Sequence, residues 1–122
     1  MTWHIDGTSP LYLQLADDLR RAIISGEHPS GERIASVREL ASDAKVNPNT
    51  MQRALLELER EGLVETHGTS GKFVTDDESI IECARKKAVD ELISEFTARL
   101  SALGCDLDEA ILNIRKGADE NE

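Results

Sequence analysis

Asn47-Pro48-Asn49 stands directly ahead of "TMQRALLELEREG", and no other stretch constrains the fold of this chain as tightly. Inside a helix, proline removes a hydrogen bond and clashes with the turn before it. At the first helical position its missing N–H is one that no intrahelical acceptor would have used. An asparagine just before it can cap the neighbouring N–H groups. The segment therefore predicts a helix that starts at Pro48 and runs to Gly62. On a helical wheel Met51, Ala54, Leu55 and Leu58 share one side, while Asn49, Gln52, Arg53 and Arg60 spread over the other. The first side suits a core; the second must face something polar. Leu56 falls on the polar side, and the wheel gives no reason for it.

Two more helices precede this one. "LYLQLADDLRRAIIS" places Tyr12, Leu15, Ala16, Leu19, Ala22 and Ile23 at helical spacing, with Ser9-Pro10 as its start and Gly26 as its stop. After the turn-forming "GEHPSGER" comes "SVRELASDA", where Ser36 and Glu39 form a capping box for a short second helix. Beyond Gly62, "LVET" and "KFVT" are short β-prone runs joined by "HGTSG", whose glycines suit a hairpin. Near the N-terminus "WHI" fits either a short strand or an extended arm.

From Ser79 the pattern changes. Ile81, Ala84, Ala88, Val89, Leu92, Ile93, Phe96, Leu100 and Leu103 trace one wide apolar stripe that ends at Gly104. Asp106 and Glu109 repeat the capping arrangement, Leu107, Ile111 and Ile114 give a smaller stripe, and the tail "KGADENE" reads as polar and frayed. A two-helix hairpin cannot hide a stripe this wide by itself, so a second copy of the chain is the economical partner. Ile81, Val89, Leu92, Ile93, Phe96, Leu100, Leu103, Ile111 and Ile114 are the residues expected at that contact. The resulting division is 1–76 and 77–122.

The chain's length of 122 residues allows one modest core and an appendage. Its net charge of −10 argues against nucleic acid as a partner until the charge is mapped. Residues 1–76 hold 8 basic against 12 acidic side chains, residues 77–122 hold 6 against 12, and "AKVNPNTMQRALL" carries Lys45 and Arg53 with no acid. The polar end of the third helix is thus locally positive. Four aromatics in the chain exclude a reader that stacks successive bases. No membrane span or signal pattern is legible, so a cytoplasmic location is expected. Cys83 and Cys105 have neither zinc nor disulfide spacing and read as free thiols.

Helix, short capped helix, turn, amphipathic helix and glycine-tipped hairpin follow the order of a winged helix-turn-helix, whose last helix enters the DNA major groove. Asn49 or Gln52 can pair bidentately with an adenine edge and the Thr50 methyl can touch a thymine. Arg38, Lys45 and Arg53 can neutralise phosphates, and Asn47 lies in the same polar cluster. A solvated helix face with ordinary caps is the plainer alternative.

The stretch from Pro10 to Val74 also resembles the DNA-binding domain of the GntR family of bacterial transcription regulators. The shared landmarks are "PLYLQL", "SVRELA", "VNPNTMQRALLELEREGL" and the wing ending "FV". The family commonly has Leu-Pro-Ser where this chain has Ile34-Ala35-Ser36, and its usual wing tip is one residue shorter, with arginine in place of His67. The resemblance implies DNA contacts from Arg38, Asn49, Thr50, Gln52 and Arg53, and from His67, Gly68 and Thr69 in the wing. The short remainder after Asp76 is similar to the YtrA-like subfamily, in which two C-terminal helices dimerise. It implies a homodimer on a palindromic double-stranded operator, a repressor's role and control of transporter genes.

The expected fold class is mainly α with a small β wing, a winged helix-turn-helix followed by a two-helix dimerisation segment. A protein-interaction adaptor of the same fold is the rival reading. No enzymatic constellation can be assembled, since His4, His28 and His67 lie in unrelated contexts, and no metal or cofactor is expected. A small-molecule effector is not legible; so short a C-terminal region leaves a cleft between subunits as the place for one.

Overall fold

The computed structural model describes residues 1–120. The elements run α1 (Leu11–Ile24), α2 (Val37–Ala44), α3 (Pro48–Arg60), β1 (Val64–Thr66), β2 (Lys72–Val74), α4 (Glu78–Ala102) and α5 (Leu107–Glu120). The chain divides into two compact units, Met1–Ala84 and Arg85–Glu122, with the division inside α4.

In the first unit each helix starts where local chemistry supplies partners for its free N–H groups. Asn47 Oδ1 accepts from the Asn49 N–H at 2.7 Å, and Ser36 Oγ from Glu39 at 3.1 Å. No side chain caps α1; the Pro10 carbonyl accepts from Leu13 and Gln14 instead. Helix ends follow the same logic. Gly62 adopts φ +81°, so that its N–H reaches the Glu59 carbonyl and that of Leu63 reaches Leu58. At the end of α2 the left-handed position belongs to Lys45, at φ +58°.

The three helices enclose one core. Leu15, Leu19, Met51, Leu55, Leu58, Leu63 and Val74 are sealed from water, and each contributes about 1.5–3 kcal/mol of transfer free energy. β1 and β2 pair antiparallel, Val64 with Val74, Glu65 with Phe73 and Thr66 with Lys72. The five residues between them include a single 3-10 turn at Gly68–Ser70. Arg33 adds an isolated antiparallel bridge to Phe73, and the flanking Ile34 N–H donates to Lys72 at 2.8 Å. The wing therefore rests against the loop ahead of α2.

"WHI" forms no strand. It is an extended arm fastened by side chains: Trp3 Nε1 donates to Asp43 at 2.7 Å, the His4 N–H donates to the buried Asp18 carboxylate, and the Asp6 N–H to Gln14. Those bonds explain why Asp18 and Gln14, polar residues on α1, are tolerated inside.

Asp77 opens α4 by accepting from the Ser79 N–H, and Ile81 is then only 4% exposed within the helical core of the first unit. That corrects the assignment of Ile81 to the partner-facing stripe: its own chain covers it, and Ile80 and Ala84 pack beside it.

In the second unit Gly104 at φ +80° turns the corner, and Asp106 Oδ1 caps α5 through the Glu109 N–H. The backbones of α4 and α5 do not run close along their lengths, although Ala110 of α5 is buried. The tail also departs from expectation. α5 continues through Lys116-Gly117-Ala118-Asp119 to Glu120, since one glycine costs a helix only about 1 kcal/mol, while Asn121 and Glu122 lie outside the described residues. Among the described residues, no helix is long and apolar enough to cross a membrane.

Candidate nucleic-acid interface

Helix α3 presents two unlike faces. Met51, Ala54, Leu55 and Leu58 have no exposure at all, whereas Asn49 and Arg53 are exposed and Thr50 and Gln52 half-buried on the opposite side. Leu56 also lies outside, 45% exposed, and nothing in the structure explains it. The Arg53 guanidinium sits over the Tyr12 ring, 3.8 Å from its centroid, which fixes the direction in which the charge projects. Asn47 spends its side-chain oxygen on the helix cap, which leaves its amide N–H groups for other acceptors.

Arg38, on α2, and Lys45, in the turn between α2 and α3, are both exposed. In the wing, Gly68 and Thr69 are exposed at the turn. The His67 ring stacks on Phe73 with centroids 4.8 Å apart, and its Nε2 lies 3.0 Å from a Glu65 carboxylate oxygen. His67 is thus braced by the wing's own strands, an arrangement invisible in the loop sequence. Lys72 Nζ lies 2.5 Å from the Glu59 carboxylate near the end of α3, and Thr66 Oγ1 donates to the same group. Burial pushes the Glu59 pKa up, but the hydrogen bonds from Lys72 and Thr66 and the lysine charge together hold it below its ordinary value. This contact ties the wing to α3.

The basic side chains of the first unit sort into two groups. Arg20 pairs with Asp17 and Glu61, Arg21 with Asp18, Arg60 with Glu57, and Lys72 with Glu59. Arg33, Arg38, Lys45 and Arg53, the others that the sequence contains there, pair with no carboxylate among the described residues. Three of these four are residues that the sequence marks for DNA contact. Arg33 is the one that sequence reasoning missed: its Nε donates to the Ser70 carbonyl at 3.1 Å, 37 positions away, and no local pattern encodes that.

In the second unit Val89, Leu92, Ile93, Phe96, Leu103, Ile111 and Ile114 are all exposed, up to 83% at Leu103, and Leu100 is half-buried. Cys83 is exposed and Cys105 partly so. Burial, then the neighbouring Glu109 and Asp106 carboxylates, push the Cys105 thiol pKa up, away from a reactive thiolate. An open hollow at the corner is lined by Thr97, Ser101, Gly104, Cys105, Asp106 and Leu107; it does not enclose a ligand.

Three packed helices and a two-stranded wing after the third define a winged helix-turn-helix of the DNA-binding type. Residues 11–74 match the bacterial regulatory proteins of the gntR family, and the chain belongs to that family, whose members are transcriptional regulators and not enzymes. It is 35% identical to the uncharacterized HTH-type transcriptional regulator YhcF of Bacillus subtilis (strain 168), over 88% of this chain and 89% of that one. It is 36% identical to the HTH-type transcriptional repressor YtrA of the same organism, over 57% of this chain and 53% of that protein. Among solved structures, a GntR family transcriptional regulator from Listeria monocytogenes superposes with a TM-score of 0.86 at 33% identity, covering 92% of this chain and 98% of that one.

Proposed function

We infer that the chain is a homodimeric, sequence-specific repressor whose α3 helices read the major groove at the two halves of a palindromic operator. The observation that carries this reading is the division of the basic residues. The fold neutralises Arg20, Arg21, Arg60 and Lys72 internally and leaves Arg38, Lys45 and Arg53 around the start of α3 for an external anion. Between them stand Asn49, Thr50 and Gln52, whose groups match base edges rather than phosphates. Asn47 and the wing residues His67, Gly68 and Thr69 complete the contact set.

The exposed apolar faces of α4 and α5 support the dimer, since a regulator of two-fold operators needs two reading helices about one duplex turn apart. YtrA of Bacillus subtilis is described as a repressor, which favours repression over activation here. Transporter genes are the proposed targets, the cytoplasm the proposed location, and a cleft between subunits the proposed seat of any small effector.

Footprinting of the purified chain on genomic DNA tests the reading, and should give protected sites with two-fold symmetry. A binding isotherm on such a site should show log K falling with log salt by about 0.9 per phosphate contacted. Gln52→Ala with Arg53→Ala should abolish binding and leave the association state unchanged. No protected site and no salt dependence would overturn it.

A further inference from the structure

We propose that Arg33 is a DNA-contacting residue, a guanidinium that the wing takes from the loop ahead of α2 to hold a phosphate of the duplex. The proposal rests on the DNA-binding reading above and adds to it a residue outside the helix-turn-helix proper.

The wing's own lysine is already committed: Lys72 is bound to Glu59, and the neighbouring His67 ring stacks on Phe73 beside Glu65. Arg33 reaches the wing from the other side. Its backbone is fixed beside β2 by the bridge to Phe73 and by the bonds from Ile34 to Lys72 and from Val74 to Glu32, each 2.8 Å. Its Nε donates to the Ser70 carbonyl at 3.1 Å, which lays the guanidinium along the wing turn. Gly71 makes room for it: a Cβ there would stand 3.2 Å from Nε, and the residue's φ of +107° excludes most other side chains as well.

Two consequences follow from this geometry. With Nε occupied, no carboxylate among the described residues engages the two terminal nitrogens of this exposed side chain, which leaves a planar fork of N–H groups that suits a phosphate. With the side chain already held, less rotamer freedom is lost on binding than for a free surface arginine. Arg33 also stands in the group of cations that no carboxylate among the described residues neutralises. A mere staple between loop and wing would need the Nε bond and not an unneutralised charge.

The test uses the full chain and a duplex taken from a footprinted site, with affinity read by fluorescence anisotropy from about 50 to 200 mM salt. Arg33→Gln should bind about tenfold more weakly per subunit, about a hundredfold for the dimer, to cognate and scrambled duplexes alike, in line with loss of one charged hydrogen bond from each subunit. Its log K against log salt should be shallower by about 1.8 for the dimer, about 0.9 for each subunit's phosphate. Arg33→Lys should keep the wild-type slope. Thermal denaturation of each variant separates a loosened wing, which lowers the midpoint, from a lost phosphate, which lowers the slope. An unchanged slope for Arg33→Gln overturns the proposal however far stability falls, as does an Arg33→Lys slope as shallow as that of glutamine. If the wild type binds no duplex at all, the DNA-binding reading fails and takes this proposal with it. If the wild type binds and Arg33→Gln matches it, only this proposal fails.

Discussion

Arg53 and Tyr12, from α3 and α1, are stacked with the guanidinium carbon 3.8 Å from the ring centroid, so a cation on the polar face of α3 is held by a residue of a different helix. A cation over an exposed aromatic face gains about 0.5–1 kcal/mol. Tyr12→Leu keeps the apolar body and removes that attraction. Operator affinity should fall about two- to fivefold, with the thermal midpoint nearly unchanged, as measured by anisotropy and calorimetry on the same samples.

Lys45 occupies the left-handed region at φ +58°, where a side chain costs roughly 1–2 kcal/mol relative to a residue without one. Lys45→Gly should therefore raise the stability of the first unit by about 1 kcal/mol in urea unfolding while weakening DNA binding and flattening its salt dependence. An unchanged affinity and salt dependence would remove Lys45 from the DNA contact.

Glu59 gives the wing a pH dependence. Its folded pKa lies below the value of about 4.3 that it has in an unfolded chain. Its contribution is accordingly present in full above that value and lost as pH falls through the folded one. The difference in thermal midpoint between the wild type and Glu59→Gln should be constant from about pH 6 to 7 and shrink below about pH 4. Hydrogen-exchange protection at Thr66 and Lys72, taken relative to the intrinsic rate at each pH, should fall over the same acid range. A constant difference down to pH 3 would remove the carboxylate from any role in anchoring the wing.

Leu92 and Phe96 are 65% and 46% exposed on α4. Aspartate at both positions should turn a sedimenting dimer into a monomer with unaltered helical content, because neither side chain is buried in its own chain. Operator affinity should drop about a hundredfold or more, as the second half-site no longer binds intramolecularly. A variant that sediments as the wild type does would place the dimer contact elsewhere.

Much of the fold was legible because its signals are short-range. The caps of Asn47, Ser36 and Asp106 each act within three residues, and the 3.6-residue pattern of Met51, Ala54, Leu55 and Leu58 names a buried face without naming what covers it. The same locality explains the errors. The stripe from Ile81 to Leu103 repeats with one period throughout, so nothing in it distinguishes Ile81, sealed by its own chain, from Leu103, 83% exposed. The tail "KGADENE" reads as frayed from its polarity, yet α5 continues through Gly117 to Glu120.

Residue order alone determined where helices begin and stop, which faces are apolar and which polar side chains gather at the head of α3, since caps, φ preferences and helical periodicity act over one or two turns. Tertiary structure decided which charges are spent and which remain. Arg20 meets Glu61 across 41 positions, Trp3 meets Asp43 across 40, and Arg33 reaches Ser70 across 37. A Coulombic or hydrogen-bonding partner is chosen by distance in space, and that distance exists only once the chain has closed around its core.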